Sequence, residues 1–190
     1  MKLKNICFDA ILLALLIISA FISIPVMEIS FTLQVLIVLI ISLLLPLKDG
    51  LTIIILYFVM GLIGIPVFSQ GGGIAYLTKP SFGYLLGFIF SPLIAHFIKK
   101  LPIKLNAIKD VIASIISLAI IYLFGTVYFY FIMKYVNKID YDIIKIIKIC
   151  IIPFIIVDLL KVTSAVIIMV PLRKVIKIDA DDKAYCMEKK

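Results

Sequence analysis

Side chains with reactive chemistry are scarce in this sequence. It holds one histidine, His96, and three widely separated cysteines, Cys7, Cys150 and Cys186. An odd number of cysteines at such spacings matches neither a disulfide framework nor a metal site, so they read as apolar or incidental residues. Walker, zinc and catalytic-triad patterns are missing as well, and His96 reads as structural. Acidic residues are few, 11 against 19 lysines and arginines, for a formal charge of +8. Such a balance can signal a nucleic-acid partner. In a chain this apolar it fits lysines at the cytoplasmic edge of a membrane instead. What fills the sequence is hydrocarbon: 64% of its 190 residues are hydrophobic and the mean hydropathy is +1.26. Soluble domains are about 45–50% apolar, and a small domain cannot hide the excess, because its surface must be mostly wettable. The bilayer is the natural solvent, and lipid is the first expected partner.

A spanning helix needs about 20 apolar residues. Six apolar segments bounded by proline, charge and glycine come close, at roughly 8–25, 32–47, 51–68, 82–98, 108–133 and 146–171. The expected fold is all-α, with six transmembrane helices in one membrane domain over residues 1–190 and no room for a soluble domain. The first run, Phe8–Val26, is longer than a signal-peptide core and lacks a small-x-small cleavage site near Pro25, so it reads as a span. With the N-terminus cytoplasmic, thirteen lysines and arginines fall inside and five outside, namely Lys79, Lys134, Lys138, Lys145 and Lys148. Both termini are therefore expected in the cytoplasm. The segments after spans one and three, Val26–Phe31 and the glycine-rich Pro66–Ser81, then lie on the outer face. A protein that captures a solute keeps its adaptable loops there.

Two features carry candidate chemistry. The sixth segment contains Asp158 and Lys161. At 1.5 Å per residue from an entry near Ile146, Asp158 lies about 18 Å deep, close to mid-membrane. Three residues apart, the two share a helix face. Ionisable groups at that depth are costly unless paired or facing a polar cavity, and they mark functional sites by default; an ion pair that only locks packing is the alternative. The second feature is the run Gly71, Gly72, Gly73 after the third segment. Glycines allow positive φ and close backbone approach to a ligand, although a glycine run alone is usually just a flexible loop.

The surrounding pattern adds specificity. Gly64-Ile65-Pro66-Val67-Phe68, the glycine run, Ala75-Tyr76-Leu77 and Pro80-Ser81-Phe82-Gly83-Tyr84 occur in that order, with Phe31-Thr32-Leu33-Gln34 before them and Asp158-x-x-Lys161 after. This arrangement resembles the BioY family, the biotin-specific S components of energy-coupling-factor (ECF) transporters, over nearly the whole chain. Lys79 stands where the family has a glycine before the loop proline, Phe82 replaces one of two glycines before the tyrosine, and Gln70 sits where glycine is common. The resemblance implies a multi-pass protein of the bacterial plasma membrane that captures biotin outside and delivers it inside. It also implies a transmembrane coupling subunit and two ATPase subunits as partners, and no cofactor. The ligand set it suggests is Asp158, Lys161, Gln34, Gln70, Gly71, Gly72, Gly73, Tyr76 and Tyr84. In biotin the ureido ring offers two N–H donors to Asp158 and one carbonyl to Lys161. The bicycle and tail suit Phe68, Tyr76, Phe82 and Tyr84, rings that also serve as interfacial anchors.

In the first segment Ala10 and Ala14 form a small-xxx-small pair, which on its own signals close helix packing. The resemblance makes it the docking face for the coupling subunit. An S component for another vitamin, thiamin or riboflavin, is the rival within the class. A small membrane enzyme using Asp158 and Lys161 as acid and base is disfavoured, because no nucleophile, metal cluster or third polar group accompanies them in the sequence.

Overall fold

The computed structural model describes residues 3–26 and 29–175; Lys2, Cys186 and the basic residues from Lys177 onward lie outside them. In chain order the elements are α1 (Leu3–Phe21), β1 (Ser23–Val26), β2 (Ile29–Thr32), α2 (Gln34–Leu44) and α3 (Leu47–Leu62). After a loop containing one 3-10 turn (Ile74–Thr78) come α4 (Phe82–Phe88), α5 (Phe90–Lys99) and α6 (Asn106–Phe131), which ends in a π-helical turn (Ile132–Val136). The last two helices are α7 (Ile143–Cys150) and α8 (Ile152–Val175). The protein is mostly helical, but the all-α expectation needs correction: β1 and β2 pair as an antiparallel ribbon, Ser23 opposite Thr32 and Ile24 opposite Phe31. Val26–Phe31 had read as a plain connection, because four-residue strands carry too little alternation to be seen.

Polarity in the long helices is inverted relative to a soluble protein. On α8 the inward face carries Phe154, Asp158, Lys161, Val162, Ala165 and Met169, all buried, while Ile156, Leu160 and Ile167 are exposed. On α6 Asp110, Ser114, Ser117 and Tyr122 point inward and Ile115, Leu123 and Val127 outward. A water-facing helix puts its charges outside; here hydrocarbon meets the solvent, which is the arrangement a bilayer requires. Two helical stretches, Phe82–Lys99 and Asn106–Val136, are long and apolar enough by length and composition to cross a membrane.

Breaks divide two of the expected segments. The fourth is interrupted at Ile89 between α4 and α5, and the sixth at Ile151 between α7 and α8. Pro153 explains the second break: it has no N–H for the Ile149 carbonyl. The N–H of Phe154 turns instead to Ile151 O at 3.0 Å. The Cys150 carbonyl is thereby released, and the Tyr84 hydroxyl takes it at 2.9 Å.

Glycines set the distance between α4 and α6. A Cβ on Gly87 would lie 2.6 Å from Ile121 Cα, and one on Gly83 would lie 2.7 Å from the Phe124 carbonyl oxygen. Gly125 reciprocates, since its missing Cβ leaves the space filled by the Tyr84 ring. Small residues four apart let helix backbones meet closely in lipid, where dispersion replaces the hydrophobic effect as the packing force. Gly87→Val should therefore force the helices apart, at a cost of about 1–3 kcal/mol of overpacking. Thermal unfolding in detergent micelles measures it, and an unchanged midpoint would contradict close α4–α6 packing.

Candidate binding site

The ribbon, the loop after α3, and one face each of α2, α4, α6 and α8 converge on a single open cleft. Its empty volume is about 530 Å³, open solvent at the mouth included. Apolar walls come from Phe31, Val35, Leu85, Phe88, Ile121 and Phe154, with Phe31 and Phe154 stacked at 6.1 Å and 9°.

The deep wall is ionic. Lys161 Nζ donates to Asp158 Oδ1 at 2.6 Å and to the Thr32 carbonyl at 2.6 Å. It also lies 3.9 Å from the centre of the Phe31 ring, a cation–π contact. The second oxygen of Asp158 accepts from the Tyr122 hydroxyl at 2.6 Å. Asp158 and Lys161 are 4% and 5% exposed, so each bond forms where water does not compete. The three donors of Lys161 are taken up by a carboxylate, a carbonyl and a ring. Asp158 still has acceptor capacity, because an ionised carboxyl offers about four lone-pair sites and two are used.

Polar side chains line the rest. Gln34 Nε2 donates to Tyr57 Oη at 2.5 Å, and Tyr57 Oη donates to the Val67 carbonyl at 3.0 Å. This chain ties the start of α2 to the loop after α3. The Tyr76 hydroxyl shares hydrogen bonds of 3.3 Å with both Ser69 and Ser81. Of the residues suggested by sequence, Asp158, Lys161, Gln34, Tyr76 and Tyr84 all line the cleft. Gln70, Gly71, Gly72 and Gly73 are not among its lining residues; they follow the lining residue Ser69 in the loop. Gly71 and Gly73 have φ of 107° and 92°, the left-handed turns that glycine permits. The Gly73 N–H closes back onto Gly61 O at 2.7 Å, so this loop is folded onto the end of α3. Phe68 and Phe82 are not cleft walls either. They are buried in an aromatic cluster with Tyr57, Phe58 and Tyr76.

Among the contributors that escaped the sequence reading are Tyr122, Phe154, Phe88 and Ile121. Tyr122 supplies the third polar group that Asp158 and Lys161 had lacked, and nothing in its local sequence sets it apart from the other tyrosines of α6. Phe154 was visible in principle, because it precedes Asp158 by one helical turn on the same face. Ala10 and Ala14 are both exposed on α1, opposite the buried Leu12 and Leu16.

A match to the BioY family model spans residues 1–178. The chain belongs to the BioY family. Its relatives include the biotin transporter BioY of Thermotoga maritima, 35% identical over 90% of this chain and 97% of that one. The probable biotin transporter BioY of Pyrococcus horikoshii is 33% identical, over 88% and 95% of the two chains. A probable biotin transporter of Lysinibacillus sphaericus is 38% identical, and the match spans 62% of that protein's length. The fold superposes with a TM-score of 0.78, at 27% identity over 91% of this chain, on the crystal structure of the S-component for biotin from an ECF-type ABC transporter. BioY membership makes this a membrane protein, and it places the ionic cleft in a fold of substrate-binding subunits.

If the ion pair is as buried as its geometry states, breaking it is worse than deleting it. Lys161→Ala should cost roughly 3–5 kcal/mol by stranding a carboxylate, whereas Asp158→Leu with Lys161→Met should cost far less. Unfolding of the two variants in detergent checks this, and equal losses would contradict it.

Proposed function

We propose that this chain is the biotin-binding S component of an ECF-type importer. The observation that carries the reading is the buried Asp158–Lys161 pair at the bottom of an apolar-walled cleft, in a chain of the BioY family. Biotin's ureido ring is a flat polar head on an apolar bicycle. Asp158 has lone pairs left to accept its N–H donors. The ureido carbonyl takes a Lys161 donor in place of the Thr32 carbonyl, an exchange of one neutral acceptor for another. Phe31 and Phe154 flank the ring system, and Tyr84, Phe88 and Ile121 line the path of the tail.

In this reading the chain sits in the bacterial plasma membrane as six spans with both termini cytoplasmic. The fourth span is α4 with α5, and the sixth is α7 with α8. The ribbon and the glycine loop then face outside and receive the vitamin. The exposed Ala10 and Ala14 on α1 dock on a transmembrane coupling subunit, which two ATPases drive. Nothing in this arrangement is catalytic: the protein binds and releases, and the chemistry of ATP belongs to other chains.

Biotin at 100 times its dissociation constant should stabilise the purified protein by about 2.7 kcal/mol, while thiamin and riboflavin should not. A thermal shift with another vitamin and none with biotin would remove biotin from the assignment. For the docking face, Ala14→Trp should abolish co-purification with the coupling subunit and leave biotin binding by the isolated protein intact, because bulk on a close-packed face blocks approach. Normal co-purification would count against it.

A further inference from the structure

The charged residues that line the cleft, Asp158 and Lys161, cancel one another. Lys161 is fully engaged, by Asp158, the Thr32 carbonyl and the Phe31 ring. A ligand carboxylate pushed to this depth would meet no free cation among the described residues, and burying an unpaired charge is prohibitive. A ligand that carries a carboxylate must therefore leave it at the mouth.

A cation lies beside the lining residue Tyr76. Lys79, half-buried after the 3-10 turn, reaches back over the loop. Its Nζ donates to the Gln70 carbonyl at 2.7 Å and lies 5.2 Å from the centre of the Tyr76 ring. Both neighbours adjoin the cleft. Tyr76 lines it, Gln70 follows the lining residue Ser69, and Gln70 Nε2 donates to Ser30 Oγ, another lining residue, at 2.9 Å. Gln70 and Lys79 thus form a strap from the glycine loop to the ribbon, with an ammonium group on it. An ammonium has three donors, and the Gln70 carbonyl takes one. A peptide carbonyl is a weaker partner than a carboxylate, since a charge-assisted bond is about twice as strong.

We infer that Lys79 is the carboxylate-recognition residue of this site: it holds the charged end of the ligand's aliphatic tail at the rim while the ring occupies the Asp158–Lys161 end. The assignment rests on the biotin reading and adds to it a preference for the acid over neutral derivatives. The polar contacts are divided by charge, with a neutral head bound at a net-neutral deep end and an anionic tail bound at a cationic rim. Because the rim is partly wet, the preference is modest and salt-sensitive.

The test compares biotin with biotin amide, which has the same shape and no charge, by calorimetric titration of the purified protein. The unmodified protein should prefer biotin by about tenfold, the scale of one charge-assisted bond discounted for exposure. Lys79→Met should bind both ligands equally, with amide affinity within about twofold of the unmodified protein, and Lys79→Arg should restore the preference. A preference that survives in Lys79→Met overturns the assignment. So does a uniform loss of affinity for both ligands, which would make Lys79 only a brace for the loop. If the unmodified protein binds both ligands equally, the carboxylate assignment alone falls; if it binds neither, the biotin reading falls and takes the assignment with it.

Discussion

Everything around the cleft is arranged about one buried ion pair. Asp158 and Lys161 both come from α8, yet their remaining partners come from elsewhere: Tyr122 from α6, and the Thr32 carbonyl and the Phe31 ring from β2. A charge placed in a low-dielectric interior accepts almost any structural compromise that supplies it with partners. Here the compromise is the ribbon, which delivers a backbone carbonyl to a buried ammonium. The pair therefore positions three elements at once, and the cleft is what lies between them.

The glycines divide into two kinds of work. Gly83, Gly87 and Gly125 contribute by the side chains they lack, drawing α4 onto α6 until the Tyr84 ring drops into the gap. Tyr84 is then in reach of the Cys150 carbonyl that Pro153 leaves free, so a helix break becomes an anchor for a cleft wall. Gly71 and Gly73 contribute by backbone conformation, turning the loop after α3 back onto its own helix. Behind that loop Tyr57, Phe58, Phe68 and Phe82 form a packed aromatic floor, and only Tyr76 of that cluster also lines the cleft.

The cleft is electrically asymmetric. Asp158 and Lys161 cancel within its lining, and Lys79 stands beside that lining on the strap formed with Gln70 and Ser30. Such a site suits a ligand with a neutral hydrogen-bonding head, an apolar middle and a charged tail. Unpaired charge stays near solvent, and burial is reserved for groups whose partners are all present.

Composition and hydropathy by themselves determined that this chain is a mostly helical membrane protein, and the spacing of Asp158 and Lys161 that the two belong together. Each of these depends on local quantities, namely apolar run length and a spacing of three on one helix. The order of motifs along the chain also pointed to the BioY family. Tertiary structure alone decided which aromatics face the cleft: Phe31, Phe88 and Phe154 do, while Phe68 and Phe82 turn into the core. It also decided that Tyr122 completes the ion pair, that the glycine run folds back onto the end of α3, and that the chain after α1 forms a ribbon. The physical reason is common to all of these. In an apolar sequence every helix face can be buried or exposed to lipid at similar cost, so hydrophobic periodicity no longer says which face is inside. That choice falls to contacts between distant segments: a carbonyl for an ammonium, a hydroxyl for a carboxylate, a glycine opposite a ring.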